Sequence, residues 1–149
     1  MKVVLTRSTR VIVALIALVA LVACGRAGLE YIPNGSTYTL KQAEEMASSV
    51  ALLGVDSISA EEALKLRQER LSELRAEGTG PSRLADTLTR DFPSDTSSVP
   101  IRVESATVDG RSVWLVVEAW GDKDGSLTRR RLWIFDSTSF VVVWASSFN

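Results

Sequence analysis

The chain has 149 residues, enough for one domain with a sizeable core, and carries 17 basic and 18 acidic side chains, one cysteine and no histidine. That inventory excludes an internal disulfide and a cysteine-built zinc site, and it removes the side chain most used as general base and metal ligand. A charge this close to balance leaves no basic footprint for bulk nucleic-acid binding.

In chain order, the first feature is a basic start followed by an apolar run. Lys2, Arg7 and Arg10 precede Val11–Ala23, thirteen residues without a charge or a strongly polar group. A helix needs ~20 apolar residues to cross the bilayer core, so this run is short for a span and has the length of the central region of a secretory signal. With residues 1–23 set aside, 14 basic side chains stand against 18 acidic ones.

The run ends in Leu21-Val22-Ala23-Cys24. That ending resembles the lipobox of bacterial lipoproteins: an aliphatic residue, a small or branched one, Ala or Gly, then Cys. The resemblance covers residues 1–24. It implies that the Cys24 thiol receives a diacylglycerol, that a dedicated peptidase cuts before it, and that the new amino group can be acylated. It therefore implies a membrane partner, reached through the lipid on Cys24. The protein would be exported and held at the outer face of the cell membrane, or at the outer membrane of a diderm. An Asp directly after the cysteine favours retention at the inner membrane of diderms, and Gly25 is not that signal. Each buried CH₂ contributes about 0.8 kcal/mol, so one chain holds marginally while two or three on one residue hold almost permanently.

Residues 24–38, the cysteine followed by "GRAGLEYIPNGSTY", show no period and read as a flexible tether, with a single α+β domain over 39–149. "TLKQAEEMASSVALLG" predicts a helix in which Thr39 and Gln42 form a capping box, Leu40, Ala43, Ala47 and Val50 share a face, and Gly54 is the stop. "SAEEALKLRQERLSELRAEG" predicts a longer one, capped by Ser59 and Glu62, striped by Leu64, Leu71 and Leu74, with Glu61–Lys65 as an i,i+4 pair and Gly78 as the end. "PSRLADTLTRDF" predicts a short third helix with Pro81 in its first turn and Leu84, Leu88 and Phe92 inward.

After residue 98, β-branched and aromatic residues dominate in four runs, about 99–108, 111–120, 127–135 and 140–148. Asp109-Gly110 is a strong hairpin signal, and connections this short require antiparallel neighbours. The expected fold is α+β: two to three N-terminal helices packed on one face of a four-stranded antiparallel meander. At this level, of element order alone, it loosely resembles small cystatin-like, PepSY-like or NTF2-like domains, which implies a binding or inhibitory module.

A two-residue turn at Asp109-Gly110 pairs Val108 with Arg111, Ser105 with Trp114 and Val103 with Val116. Pairing Trp120 with Leu127 and Phe135 with Phe140 completes the register. It predicts one aliphatic face: Ala106, Val108, Val113, Leu115, Val117, Leu132, Ile134, Val141, Val143 and Ala145. On the other lie Trp114, Trp120, Trp133, Trp144 and Phe140, interleaved with Glu118, Arg129 and Arg131; Glu118 falls opposite Arg129, and Arg131 opposite Trp144. Two uses compete for that aromatic face. Its Trp and Arg side chains can stack on one another as a cover. Or the face is a binding site, since Trp and Arg are enriched at hot spots.

Chemical motifs are few. In "TRRRLW", a strand sends Arg129 and Arg131 to one face and Arg130 to the other, which reads as a solvated sheet edge. "GDKDG" lacks the further carboxylates of a calcium loop and reads as a turn. No phosphate-binding loop, dinucleotide fingerprint or nucleophile elbow occurs, so neither cofactor nor metal is expected. The favoured reading is a non-catalytic, lipid-anchored domain that binds an envelope protein, a polymer or a small ligand. Two alternatives stand beside it. One is an envelope hydrolase with carboxylates assembled by the fold. The other is an assembly lipoprotein that scaffolds through an exposed Leu64/Leu71/Leu74 stripe.

Overall fold

The computed structural model describes residues 28–91, 97–122 and 125–149. The signal-like run, Cys24 and Phe92 lie outside them, as do Lys123 and Asp124 of "GDKDG".

Among the described residues, three helices accompany a six-stranded sheet. The order is β1 (Glu30–Ile32), β2 (Thr37–Tyr38), α1 (Leu40–Ser49), a 3₁₀ turn at Val55–Ser57, α2 (Ala60–Ala76), α3 (Thr79–Arg90), β3 (Ser97–Val108), β4 (Arg111–Gly121), β5 (Arg129–Asp136) and β6 (Val142–Phe148). The sheet runs β1-β3-β4-β5-β6, with β2 also on β3. β3 to β6 pair antiparallel in sequence, whereas β1 and β2 lie parallel to β3. A parallel return needs a long crossover, and all three helices supply it.

Both predicted capping boxes form: Thr39 with Gln42 at α1, and Ser59 with Glu62 at α2. α1 ends at Ser49, short of Gly54, because the chain turns extended at Val50. Gly54 instead takes the left-handed position that opens the 3₁₀ turn.

Two expectations about the fold need correction. The sheet has six strands, not four, because the stretch expected as a tether through residue 38 carries β1 and β2. The reason is a buried carboxylate. Glu104 on β3 accepts hydrogen bonds from the Ser36 N–H (2.9 Å) and the Tyr38 hydroxyl (3.0 Å), and it pairs with Arg102 (2.6 Å). Arg102 in turn reaches Glu30 on β1 at 3.3 Å. Gly35 lies so close that a Cβ there would sit 2.3 Å from the Glu104 side chain and 2.6 Å from the Ser105 carbonyl.

Nor do the helices share one face. α1 packs with Val99, Val113, Leu115, Val117, Leu132 and Ile134. The end of α2 and all of α3 pack with Val103, Trp114, Val116 and Phe135 on the opposite face. α2 belongs to both layers: Ala63 and Leu66 near its start join the α1 cluster, and Leu71 and Leu74 join the other. The cue lies in β4. Every residue from Val113 to Ala119 is buried, so "VWLVVEA" is the near-continuous run of a strand covered on both sides, not an alternating one. The predicted leucine stripe changes accordingly: Leu71 and Leu74 are buried, Leu66 replaces Leu64, and Leu64 points to solvent.

Candidate functional site

The register decides which predicted site residues meet. The first hairpin is as expected, with Val108 opposite Arg111, Ser105 opposite Trp114 and Val103 opposite Val116. In the second, Trp120 faces Arg129 and Glu118 faces Arg131. That slip of two residues keeps every side chain on its face. In the third, Phe135 pairs with Val142, and a bulge at Val143 brings Ile134 opposite Trp144. An odd slip exchanges faces. Trp144 therefore leaves the aromatic face for the α1 side, Ala145 moves the other way, and Arg131 faces Ser147. Phe140 stands in the turn before β6 with φ +59°, and its ring packs against the Trp114 cluster under the Arg83 guanidinium.

Trp114, Trp120, Trp133, Glu118, Arg129 and Arg131 do share one face. Their interactions are directed at one another and at the helices above. Glu118 is 1% exposed. Its Oε1 receives Arg67 of α2 at 2.5 Å, and its Oε2 receives Arg131 at 3.0 Å and the Trp133 indole N–H at 2.9 Å. Arg67 also donates to the Ser98 hydroxyl and the Leu88 carbonyl of α3. Burial pushes the Glu118 carboxyl up, but the Arg67 and Arg131 charges, with hydrogen bonds from Arg67 and Trp133, overcome it and hold the group below its ordinary value.

Arg129 lies 3.9 Å over the Trp120 ring, while Arg131 sits 5.2 Å from Trp120 and 4.7 Å from Trp133. Trp114 is buried where Gly80 of α3 passes over its ring. This face is thus a cover of stacked Trp and Arg, braced by one carboxylate. β5 is also an inner strand rather than the solvated edge expected for "TRRRLW". Arg67 is the partner that sequence reasoning missed. An arginine between Leu66 and Gln68 on a highly charged helix carries no local sign of burial, and only the packing of α2 over β4 creates it.

The free surface lies at the other end of the sheet. β6 closes the strand order, and among the described residues no further strand pairs with it. No residue from Ser137 to Asn149 is charged. Val141, Val143 and Trp144 are large apolar side chains left exposed there, Trp144 at 44%. Trp144 is oriented rather than loose: its indole N–H reaches Glu44 of α1 (3.1 Å) and the Ser146 hydroxyl (2.8 Å), and that hydroxyl also bonds Glu44. Beside the ring runs a groove of about 300 Å³, lined by Leu40, Val108, Val113, Ile134 and Val143, with Asp109 and Arg111 at its rim. Edge strands are normally blunted by charge or proline, and β6 has neither. Only the bulge at Val143 interrupts it.

Among the described residues, no group of three or more potential ligands could hold a metal ion, and no helix is long and apolar enough to cross a membrane. Comparison with family models, curated proteins and solved structures gives no match for this chain.

Proposed function

We propose that the chain is an exported lipoprotein, held to the membrane by acyl groups on Cys24, whose domain binds an extended segment of an envelope protein along β6. The anchor rests on the lipobox resemblance of residues 1–24. The binding role rests on one observation above all: an unpaired, uncharged edge strand that displays an oriented Trp144 beside an apolar groove. Strand addition draws affinity from main-chain hydrogen bonds and selectivity from pockets for alternate side chains, and this edge supplies both elements.

The alternatives find less support. A hydrolase needs converging carboxylates with at least one raised pKa. The two buried among the described residues, Glu104 and Glu118, face opposite sides of the sheet, and Glu118 is held below its ordinary value. Scaffolding through the α2 leucines needs them exposed, whereas Leu71 and Leu74 lie in the core.

Two measurements test the proposal separately. Radiolabelled palmitate should enter the wild-type chain and not Cys24→Ser, which should leave the membrane fraction. Photo-crosslinking from β6 in intact membranes should yield a protein adduct that falls at least tenfold in Val143→Lys and Trp144→Ala, with circular dichroism unchanged. Undiminished crosslinking in both folded variants would rule out β6 as the binding edge. An adduct to glycan in place of protein would replace the proposed partner class.

A further inference from the structure

The loop between α1 and the 3₁₀ turn has a feature that folding alone does not account for. Val50-Ala51-Leu52-Leu53-Gly54 contains no charge. Leu53 is 63% exposed, the most exposed large apolar side chain among the described residues. Its backbone is left-handed, φ +51°, followed by Gly54 at +81°, and the Val55 N–H closes the turn on the Leu52 carbonyl. Two successive left-handed residues mark the turn type that prefers Asn-Gly or Asp-Gly.

The molecule itself provides the reference. Asp109-Gly110 repeats the pattern, φ +46° and +81°, with the favoured residue at its first position. At residue 53 the same backbone carries a leucine, so both the exposure and the conformation are unfavourable in water.

The position of the N-terminal segment says what covers it. Gly28, the first described residue, lines one groove with Met46, Val50, Ala51, Leu53 and Ile101. Only Gly25, Arg26 and Ala27 separate it from Cys24, and four residue steps span at most about 14 Å. We infer that the Val50–Gly54 loop rests in the membrane interface with Leu53 inserted among the lipid headgroups and upper acyl chains. This rests on acylation of Cys24, as proposed above.

An anchored chain cannot lift this groove beyond the tether's reach, and apolar side chains of interfacial segments settle about 5–10 Å into the headgroup–acyl boundary. The charges lining the groove, Glu30 and Arg102, are paired with each other, Arg102 also with Glu104, and the Arg130 guanidinium beside the loop is held on the Val50 carbonyl. The proposed contact is therefore made by apolar groups and does not depend on recognition of anionic lipid. The Val50 carbonyl accepts a hydrogen bond from Arg130 of β5, which pairs with Phe148 of β6, so the loop lies by the C-terminal end of β6 and Val141 lies beyond the opposite end of that strand. Lipid and loop together make a two-point attachment that turns the Val141 end of β6 away from the bilayer.

The test uses the acylated full-length chain in phosphatidylcholine vesicles. The Cys24 sulfur is then alkylated, so Leu53→Cys, or Val141→Cys at the far end of β6, is the sole thiol for an environment-sensitive dye. Dye at 53 should shift to the blue and be quenched several-fold by lipids carrying a shallow quencher, equally at low and high salt. Dye at 141 should behave as in water.

Absence of quenching at 53 in protein that sediments with the vesicles overturns the loop contact and leaves the anchor standing. Equal quenching at 53 and 141 overturns the orientation. Failure of the wild-type chain to take up label at Cys24 overturns the anchor itself. Circular dichroism of the labelled chains confirms that the fold is intact.

Discussion

Glu118 and Glu104 are both about 1% exposed, sit on adjacent strands and face opposite sides of the sheet. They do different work. Glu118 on β4 joins three elements of the core, since Arg67 comes from α2 and Arg131 and Trp133 come from the neighbouring strand β5. Glu104 bonds the segment of residues 30–38, through Ser36, Tyr38 and an Arg102 that also holds Glu30. A carboxylate buried in the middle of the domain is part of its global stability. One near the edge controls whether a strap stays docked. Burial alone does not distinguish the two roles; the elements that supply the partners do, a core helix and an inner strand for Glu118 and the N-terminal segment with its two short strands for Glu104.

The largest effect should come from Glu118→Ala. It leaves Arg67 and Arg131 without their carboxylate in a dry layer, which costs about 3–5 kcal/mol. Small domains have roughly 5–15 kcal/mol in all, so chemical denaturation should show a variant near the limit of folding. The double variant Glu118→Leu/Arg67→Leu should recover much of that loss, because the residual Arg131 keeps its Trp120 and Trp133 rings.

The pH dependence has a definite sign. The folded Glu118 pKa lies below its unfolded value, so its stabilisation is complete above the ordinary carboxylate range, about 4.3. It is lost as pH falls through the depressed value. Denaturant midpoints of wild type and Glu118→Gln should converge on acidification; a constant gap would contradict this.

Glu104→Ala should cost less, about 1–3 kcal/mol. Its signature should be local, with faster amide exchange over residues 30–38 and little change in β4. Gly35→Ala should reproduce that exchange pattern through steric displacement, since its Cβ meets both Glu104 and a backbone carbonyl. Global unfolding in either variant would erase the distinction between the two glutamates.

The smallest effect has the opposite sign. Leu53→Asn suits the left-handed position and removes exposed apolar surface, so it should stabilise the Cys24→Ser domain in solution by up to about 1 kcal/mol, read as a higher Tm.

Local features were the legible part. Capping boxes at Thr39 and Ser59, the turn at Asp109-Gly110 and the first hairpin register follow from residues within a few positions of one another. The third hairpin was not legible. Neither "DSTS" nor the apolar run after it marks a bulge at Val143, and that single extra residue moved Trp144 off the predicted face. The binding face read from Trp114, Trp120, Trp133, Glu118, Arg129 and Arg131 is real as a juxtaposition. α2 and α3 pack on its side and bury Trp114 and Glu118, while Trp120, Arg129, Arg131 and Trp133 stay half-buried and stack on one another.

By itself, then, the sequence determined the uncharged apolar run before Cys24, the capped starts of α1 and α2, the run of strands after residue 98 and the absence of histidine. Each depends on residue type or on contacts near in the chain. The tertiary structure alone decided that helices cover both faces, that residues 30–38 join the sheet, that Arg67 meets Glu118, and that no strand among the described residues covers the outer edge of β6. These depend on which apolar surfaces meet across long separations, and burial is proportional to area removed from water without regard to sequence order. A chain can announce that a side chain is apolar or charged; only packing determines what it faces.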